Sequence, residues 1–195
     1  MAARIRNLAV LALCALWLTG CGGEKPWHMT DITGAMPKLE FRMARANDRS
    51  IVSEQNYRGR VVILYFGYTH CPDICPTTLA NLSEVLRRLD TQAYDVVVLF
   101  VSVDPDRDTA PVLSAYVRGF GPQIDGLSGP PNGLTALTRR YRVLYSVTKD
   151  SPGHPYTVMH SNSVFFFDRI GRPRLVTTST DDITGITADV KRLLN

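Results

Sequence analysis

Apolar positions along this chain recur with two periods, and the places where one gives way to the other predict its elements. Residues 61–68, VVILYFGY, form an unbroken apolar, β-branched and aromatic run, the pattern of a strand buried on both faces. Leu79, Leu82, Val85, Leu86 and Leu89 then return at helical spacing and predict a helix over 77–89, opened by Pro76, whose missing N–H is harmless in a first turn. A second buried strand is expected over 95–104, DVVVLFVSVD, and after it a second helix with Asp108 or Thr109 as its cap. Further on, the pattern predicts a short strand near 124–127, a helix over 131–142 and a hairpin pairing VLYSVTK with YTVMH. Two antiparallel strands joined by a turn at 168–171 and a last helix over 182–194 complete it. Upstream, residues 39–43 and 50–52 flank the turn-rich ARANDR and predict an added N-terminal β-hairpin. Strands and helices in this order predict an α/β fold of three layers, α/β/α, around a mixed central sheet.

The first residues follow a different pattern. Arg4 and Arg6 precede an apolar run over 8–18 that closes on LTGC at Cys21. A basic segment, a short apolar one and small residues before a cysteine form an export signal, too short to span a bilayer as a mature helix. The tetrad 18–21 resembles the bacterial lipoprotein signal. That implies removal of residues 1–20 with Cys14, a lipid on Cys21, and residues 21–38 as a tether that settles onto a domain over 39–195. With 195 residues, 45% of them hydrophobic and 21% charged, the chain holds enough apolar material for one domain with a good-sized core. Its net charge of +4 drops by two when Arg4 and Arg6 leave, and the remaining basic residues are interspersed with acids. No basic block points to nucleic acid as a partner.

Of the four cysteines, the domain keeps Cys71 and Cys75, within HCPDICP, in an oxidising compartment. Three chemistries fit two thiols so placed: a structural disulfide, a thiol-disulfide redox pair, or a clamp for a soft metal. A disulfide across so short a loop adds little stability. The other two need thiolate, which the start of a helix favours. Pro72 and Pro76 disfavour helix at Cys71 and Cys75, so a rigid loop is expected there, wide enough with three intervening residues to open around an ion. Two thiolates are incomplete for most metals, and a histidine is the obvious third donor. His28 in the tether and His154 in a Pro/Gly loop are expected to be solvated. His70, adjacent to Cys71 in an extended segment, points to the other face and is expected to pack or hydrogen-bond. His160 ends YTVMH just before the buried SVFFF, and the residues alone leave it open between a ligand and a structural histidine. Two thiolates and an imidazole suit copper as Cu(I) or Cu(II) better than a closed four-ligand zinc site. A cysteine motif between the first core strand and the first core helix points to a thioredoxin-like fold.

Three blocks in this order, VVILYFGYTHCPDICPTTLANL, VLFVSVDPDRDT and YTVMHSNSVFFFD, resemble the signatures of the Sco (SenC) copper chaperones, and DITGAMPKLEF resembles their lead-in. The resemblance runs from about residue 31 to the C-terminus. It implies a membrane-anchored thioredoxin-fold metallochaperone that helps assemble the binuclear copper centre of cytochrome c oxidase. Cys71, Cys75 and His160 would be the copper ligands and subunit II the recipient. A thioredoxin-like reductant or another copper chaperone would be the donor. The implied location is the periplasmic face of the bacterial cell envelope, lipid-anchored to the inner membrane. The alternative the family allows is a thiol-disulfide reductase in which Cys71 and Cys75 cycle to keep the cysteines of that target reduced; His160, which a dithiol reductase does not need, leans to copper. Asp73 matches a position the family usually fills with aspartate, and Met159 stands where many members carry aspartate before the histidine. Both are candidates to support the ligands. Met159 is also a candidate thioether donor, against the core packing expected of a hairpin methionine.

Overall fold

A computed structural model describes residues 25–148 and 157–195; the export signal, Cys14, Cys21 and His154 lie outside the described residues. In chain order the elements are β1 (Thr30–Asp31), β2 (Arg42–Arg45), β3 (Ile51–Ser53), β4 (Val61–Gly67), α1 (Ile74–Leu89), β5 (Val96–Ser102) and α2 (Ala110–Arg118). They continue with β6 (Ile124–Ser128), α3 (Pro131–Arg140), β7 (Tyr145–Thr148), β8 (Thr157–His160), β9 (Val164–Phe167), β10 (Pro173–Thr177) and α4 (Ile183–Leu194).

The apolar runs do what their composition dictates. β4 and β5 are buried along their whole length, and with β6 they form a parallel trio covered on both faces. β9 returns antiparallel to β4, β10 to β9 and β1 to β10, while β2 and β3 close the other edge beside β6. Among the described residues this gives one mixed eight-stranded sheet, ordered β1-β10-β9-β4-β5-β6-β2-β3, with β7 and β8 as a separate ribbon.

Right-handed crossovers from β4 to β5 and from β5 to β6 step the same way across the sheet, so they lay α1 and α2 on the same face. Side-chain alternation agrees: Tyr65, Gly67, Phe100 and Gly126 share one face, and it is there that Cys75 of α1 approaches Gly67 and Leu113 of α2 approaches Gly126. α4 packs beside α1. Tyr141, which ends α3, stacks on Phe165 and Phe167 of the opposite face. Helices on both faces of a mixed sheet are the thioredoxin-like three-layer arrangement predicted, and the β2–β3 hairpin is present at its edge.

Three boundaries differ from the sequence pattern. The first hairpin strand sits nearer its turn than 39–43, because Met43 faces inward against Gly129 and its neighbours pair with β3 and β6. α3 stops at Arg140, since Arg142 turns to a positive φ of 55°. β1 has no periodic signal, being two exposed residues held on the sheet edge by pairing with β10.

Candidate metal centre

The parallel trio ends where the chemistry begins. β4 runs out at Gly67, and a side chain there is excluded: a Cβ would lie 2.5 Å from Phe100 Cε2 and 2.8 Å from Cys75 Sγ. The absent side chain is what lets the Cys75 sulfur rest on the sheet. Cys75 is itself in the first turn of α1, which starts at Ile74, three residues earlier than the apolar spacing suggests. The rigid non-helical loop expected at Cys75 is therefore corrected. Pro76 falls where helix N–H groups have no partner within the helix, so its ring removes nothing. Burial of Cys75, Thr78 and Leu79 against the sheet outweighs the usual bias of a residue before proline.

The third donor arrives from the far end of the chain. His160 ends β8 opposite Tyr145 of β7, and its Nε2 lies 3.3 Å from Cys75 Sγ. Its Nδ1 lies 3.1 Å from the Ser161 carbonyl oxygen, which can only accept. Nδ1 therefore carries the proton, and the Nε2 lone pair faces the Cys75 thiol, which donates to it. Tyr65 and Tyr68 meet the imidazole edge-on, at 6.1 and 5.9 Å between ring centroids, and fix its plane. The helix-start N–H of Cys75 donates to Cys71 Sγ at 3.4 Å. Both thiols are free, and the donor atoms of Cys71, Cys75 and His160 all lie within 4.8 Å of one another, the one such group among the described residues.

Burial changes the protonation expected of a helix-start thiol. Cys75 is fully enclosed, and desolvation pushes its thiol up to about 12, against the helix-start preference for thiolate. His160 is shifted the other way: burial lowers it below the usual imidazole value, with the Ser161 carbonyl opposing. The metal-free centre is thus a neutral thiol donating to a neutral imidazole. A soft cation held by Cys71, Cys75 and His160 would take the place of that proton.

Of the two cap candidates for α2, Asp108 turns inward instead. It does not cap α2; Thr109 occupies that position, without a side-chain hydrogen bond. The Asp108 carboxylate is buried and accepts from the Thr69 N–H at 3.1 Å, the Thr69 hydroxyl at 2.6 Å and the Ser102 hydroxyl at 2.6 Å. It so ties the loop before Cys71 to the ends of β5 and α2. His70 behaves as expected: exposed, its Nδ1 is 3.1 Å from Thr69 Oγ1 and it is outside the donor group.

The two candidate supporting residues part company with the centre. Asp73 sits exposed at the N-cap position of α1 and makes no side-chain capping bond. Met159 is neither packed in the core nor aimed at the thiols. It is 67% exposed and, one residue from His160 on a strand, points to the opposite side of the ribbon. The loss of core packing follows from the ribbon itself, which lies off the main sheet with only Val158 buried among its β8 residues of described burial.

Two thiols, one enclosed and one half-buried, and one neutral imidazole nitrogen are soft donors converging from one side, a set that matches a low-coordinate soft cation. The SCO1/SenC family model matches residues 32–195. The bovine mitochondrial SCO2 homolog is 38% identical over 137 residues, 66% of this chain and 52% of that protein. This chain spans about half the length of the curated relatives it matches. Among solved structures, Bradyrhizobium japonicum ScoI with copper bound shares 35% identity at a TM-score of 0.73, covering 80% of this chain and 99% of that one. Apo Sco1 from Thermus thermophilus shares 30% identity at a TM-score of 0.78, covering 89% and 100%.

Proposed function

This chain belongs to the SCO1/SenC family, and from that premise we propose that it is a copper chaperone in which Cys71, Cys75 and His160 take up one copper ion and deliver it to the binuclear centre on subunit II of cytochrome c oxidase. The observation that carries the proposal is the approach of His160 Nε2 to within 3.3 Å of Cys75 Sγ across 85 residues of chain. A dithiol can exchange without such a partner, whereas a two-thiol metal site is incomplete without it. Cys75 and His160, buried or half-buried, hold the ion, and Cys71, nearer the surface, is the donor that a delivering or receiving protein reaches. Delivery to the oxidase, the lipid on Cys21 and a place on the periplasmic face of the inner membrane belong to the same proposal. They rest on the lipoprotein-like N-terminus and the family resemblance. A thioredoxin-like reductant or a second copper chaperone completes the cycle by returning the dithiol or supplying the ion.

One observation favours a second role, thiol-disulfide reductase. The Cys75 thiol donates to a neutral imidazole that can take its proton. In that role Cys71 and Cys75 lose two electrons and two protons to form a disulfide while a disulfide of the target gains them. Copper loading separates the two. The reduced protein is titrated with Cu(I) and, separately, Cu(II), then desalted. One copper per chain is expected to remain, and His160→Ala is expected to weaken retention at least tenfold. A wild type that keeps no copper overturns the chaperone and leaves the reductase. Equal retention by His160→Ala removes His160 from the ligand set.

A further inference from the structure

Behind the sulfur of Cys75 lies a hydroxyl with nothing regular to bond. Tyr65 is fully buried in β4, and its phenol oxygen makes no hydrogen bond of ordinary geometry, although the Cys75 thiol and the Thr78 hydroxyl lie near enough to perturb it. A buried O–H left unpaired is costly, and each such group in a folded protein asks for a reason. The geometry supplies one. Tyr65 and Gly67 are two residues apart on a strand and project to the same face, and Cys75 Sγ occupies the space above Gly67, 2.8 Å from where a Cβ would be. The Tyr65 ring also stands edge-on to His160 at 6.1 Å. The phenol is therefore enclosed beside buried Cys75 and half-buried His160, with the Cys75 sulfur and Thr78 as its polar neighbours.

In the metal-free protein that sulfur is a neutral thiol, a weak acceptor that spends its own proton on His160 Nε2. A cation at this sulfur would be held by its thiolate form, a strong acceptor next to the unpaired O–H. We propose that the Tyr65 hydroxyl donates a hydrogen bond to the Cys75 thiolate when copper is held and thereby sets which oxidation state the centre prefers. The inference rests on the copper reading above. Its physical basis is that a donor on a ligating sulfur withdraws electron density and favours the reduced ion, whose thiolate is the more negative.

Tyr116 provides the internal control. Its hydroxyl is also enclosed and unpartnered, and its ring packs on the same Phe100 that touches Tyr65, at 5.6 and 5.8 Å. Its other ring neighbour is Phe120, and although the charge of both thiols reaches its hydroxyl, no hydrogen bond joins it to Cys75, which is the one difference from Tyr65 that the comparison needs. The test compares wild type, Tyr65→Phe and Tyr116→Phe, each reduced and loaded with Cu(II) or Cu(I) in buffer. The readouts are the sulfur-to-Cu(II) charge-transfer band and the affinities for both ions. Tyr65→Phe is expected to move the band to longer wavelength and to weaken Cu(I) about tenfold relative to Cu(II), equivalent to about 59 mV lower potential for one electron. Tyr116→Phe is expected to change neither. Circular dichroism checks that the variants fold. If Tyr65→Phe fails to fold, the band position of wild type in D2O is the second measurement, expected to shift as the O–H exchanges. Band and affinity ratio unchanged in folded Tyr65→Phe, equal shifts in both variants, or no D2O shift would overturn the inference while copper binding stands. A wild type that binds no copper overturns the reading beneath it and this inference together.

Discussion

Desolvation decides the chemistry of Cys75 before any metal arrives. A thiol with no solvent contact is held far up, at about 12 against an ordinary 9.0, so the folded metal-free protein keeps a proton that the unfolded chain gives up. A raised folded pKa adds stability that is complete below the unfolded value and is lost as pH climbs through the folded one. The window is therefore pH 9 to 12, and the loss across it is on the order of 4 kcal/mol. Tyrosines join above pH 10, so the diagnostic range is pH 9 to 10, where one retained proton corresponds to about 1.4 kcal/mol per pH unit. Denaturant unfolding of the reduced, metal-free protein is expected to show that slope, and Cys75→Ala to flatten it even though its absolute stability also falls. An unchanged slope in Cys75→Ala would show that another group holds the proton. Cys71 and Cys75 were legible as soft donors in one short motif, whereas the residues alone left His160 open between a ligand and a structural histidine. The enclosure of Cys75 was not legible, since it depends on Gly67 and Phe100 lying under the sulfur.

Elements bring these residues together, and the loops between them keep them there. The apolar runs specified β4, β5, α1 and α4 because each has a period long enough to read. The start of α1 was missed because Ile74 and Cys75 precede a proline and show no helical repeat of their own. Between Asp108 and Thr109 as cap the sequence left the choice open, and the role of Asp108 was hidden because it lies in donors from Thr69 and Ser102, remote in sequence or on another element. Through it the loop that carries Cys71 is braced by β5 and α2. Asp108→Ala strands the Thr69 N–H and two hydroxyls in a largely buried setting and is expected to cost about 3 kcal/mol in urea unfolding. Because the loop it braces carries a ligand, copper affinity is also expected to fall at least tenfold, measured by competition with a chelator. Lost stability with wild-type copper affinity would confine Asp108 to folding.

At the scale of the whole molecule, the two ends of the described residues meet on one edge of the sheet. β1 pairs with β10, and the preceding residues lie on α4: the backbone N–H groups of His28 and Met29 both donate to Asp189 Oδ2, at 2.8 and 2.9 Å. Trp27 is covered by the Arg192 guanidinium, 3.6 Å from the ring centroid, with Arg174 at 5.7 Å. The lead-in, expected to settle onto the domain, thus adds a strand and a set of contacts of its own that its mixed composition did not predict. The one trace of it is Asp189 itself, an acid set on the apolar stripe Ile186, Val190, Leu193 of α4, fully buried. A carboxylate in that place needs donors, and only the returning N-terminal segment supplies two. Asp189→Ala leaves both N–H groups without an acceptor, and a loss of about 3 kcal/mol is expected in denaturant unfolding. Asp189→Asn keeps one oxygen for the pair but turns an amide NH2 toward Arg192, 3.9 Å from the present Oδ1, so an intermediate loss is expected. Copper stoichiometry is expected to stay at the wild-type value in both variants, because no residue of the strap contributes to the donor group. Proteolysis is expected to start within residues 25–32 in Asp189→Ala and not in wild type. Cleavage that begins elsewhere, or stability within about 0.5 kcal/mol of wild type, would mean the strap is held by the β1–β10 pairing and Trp27 alone.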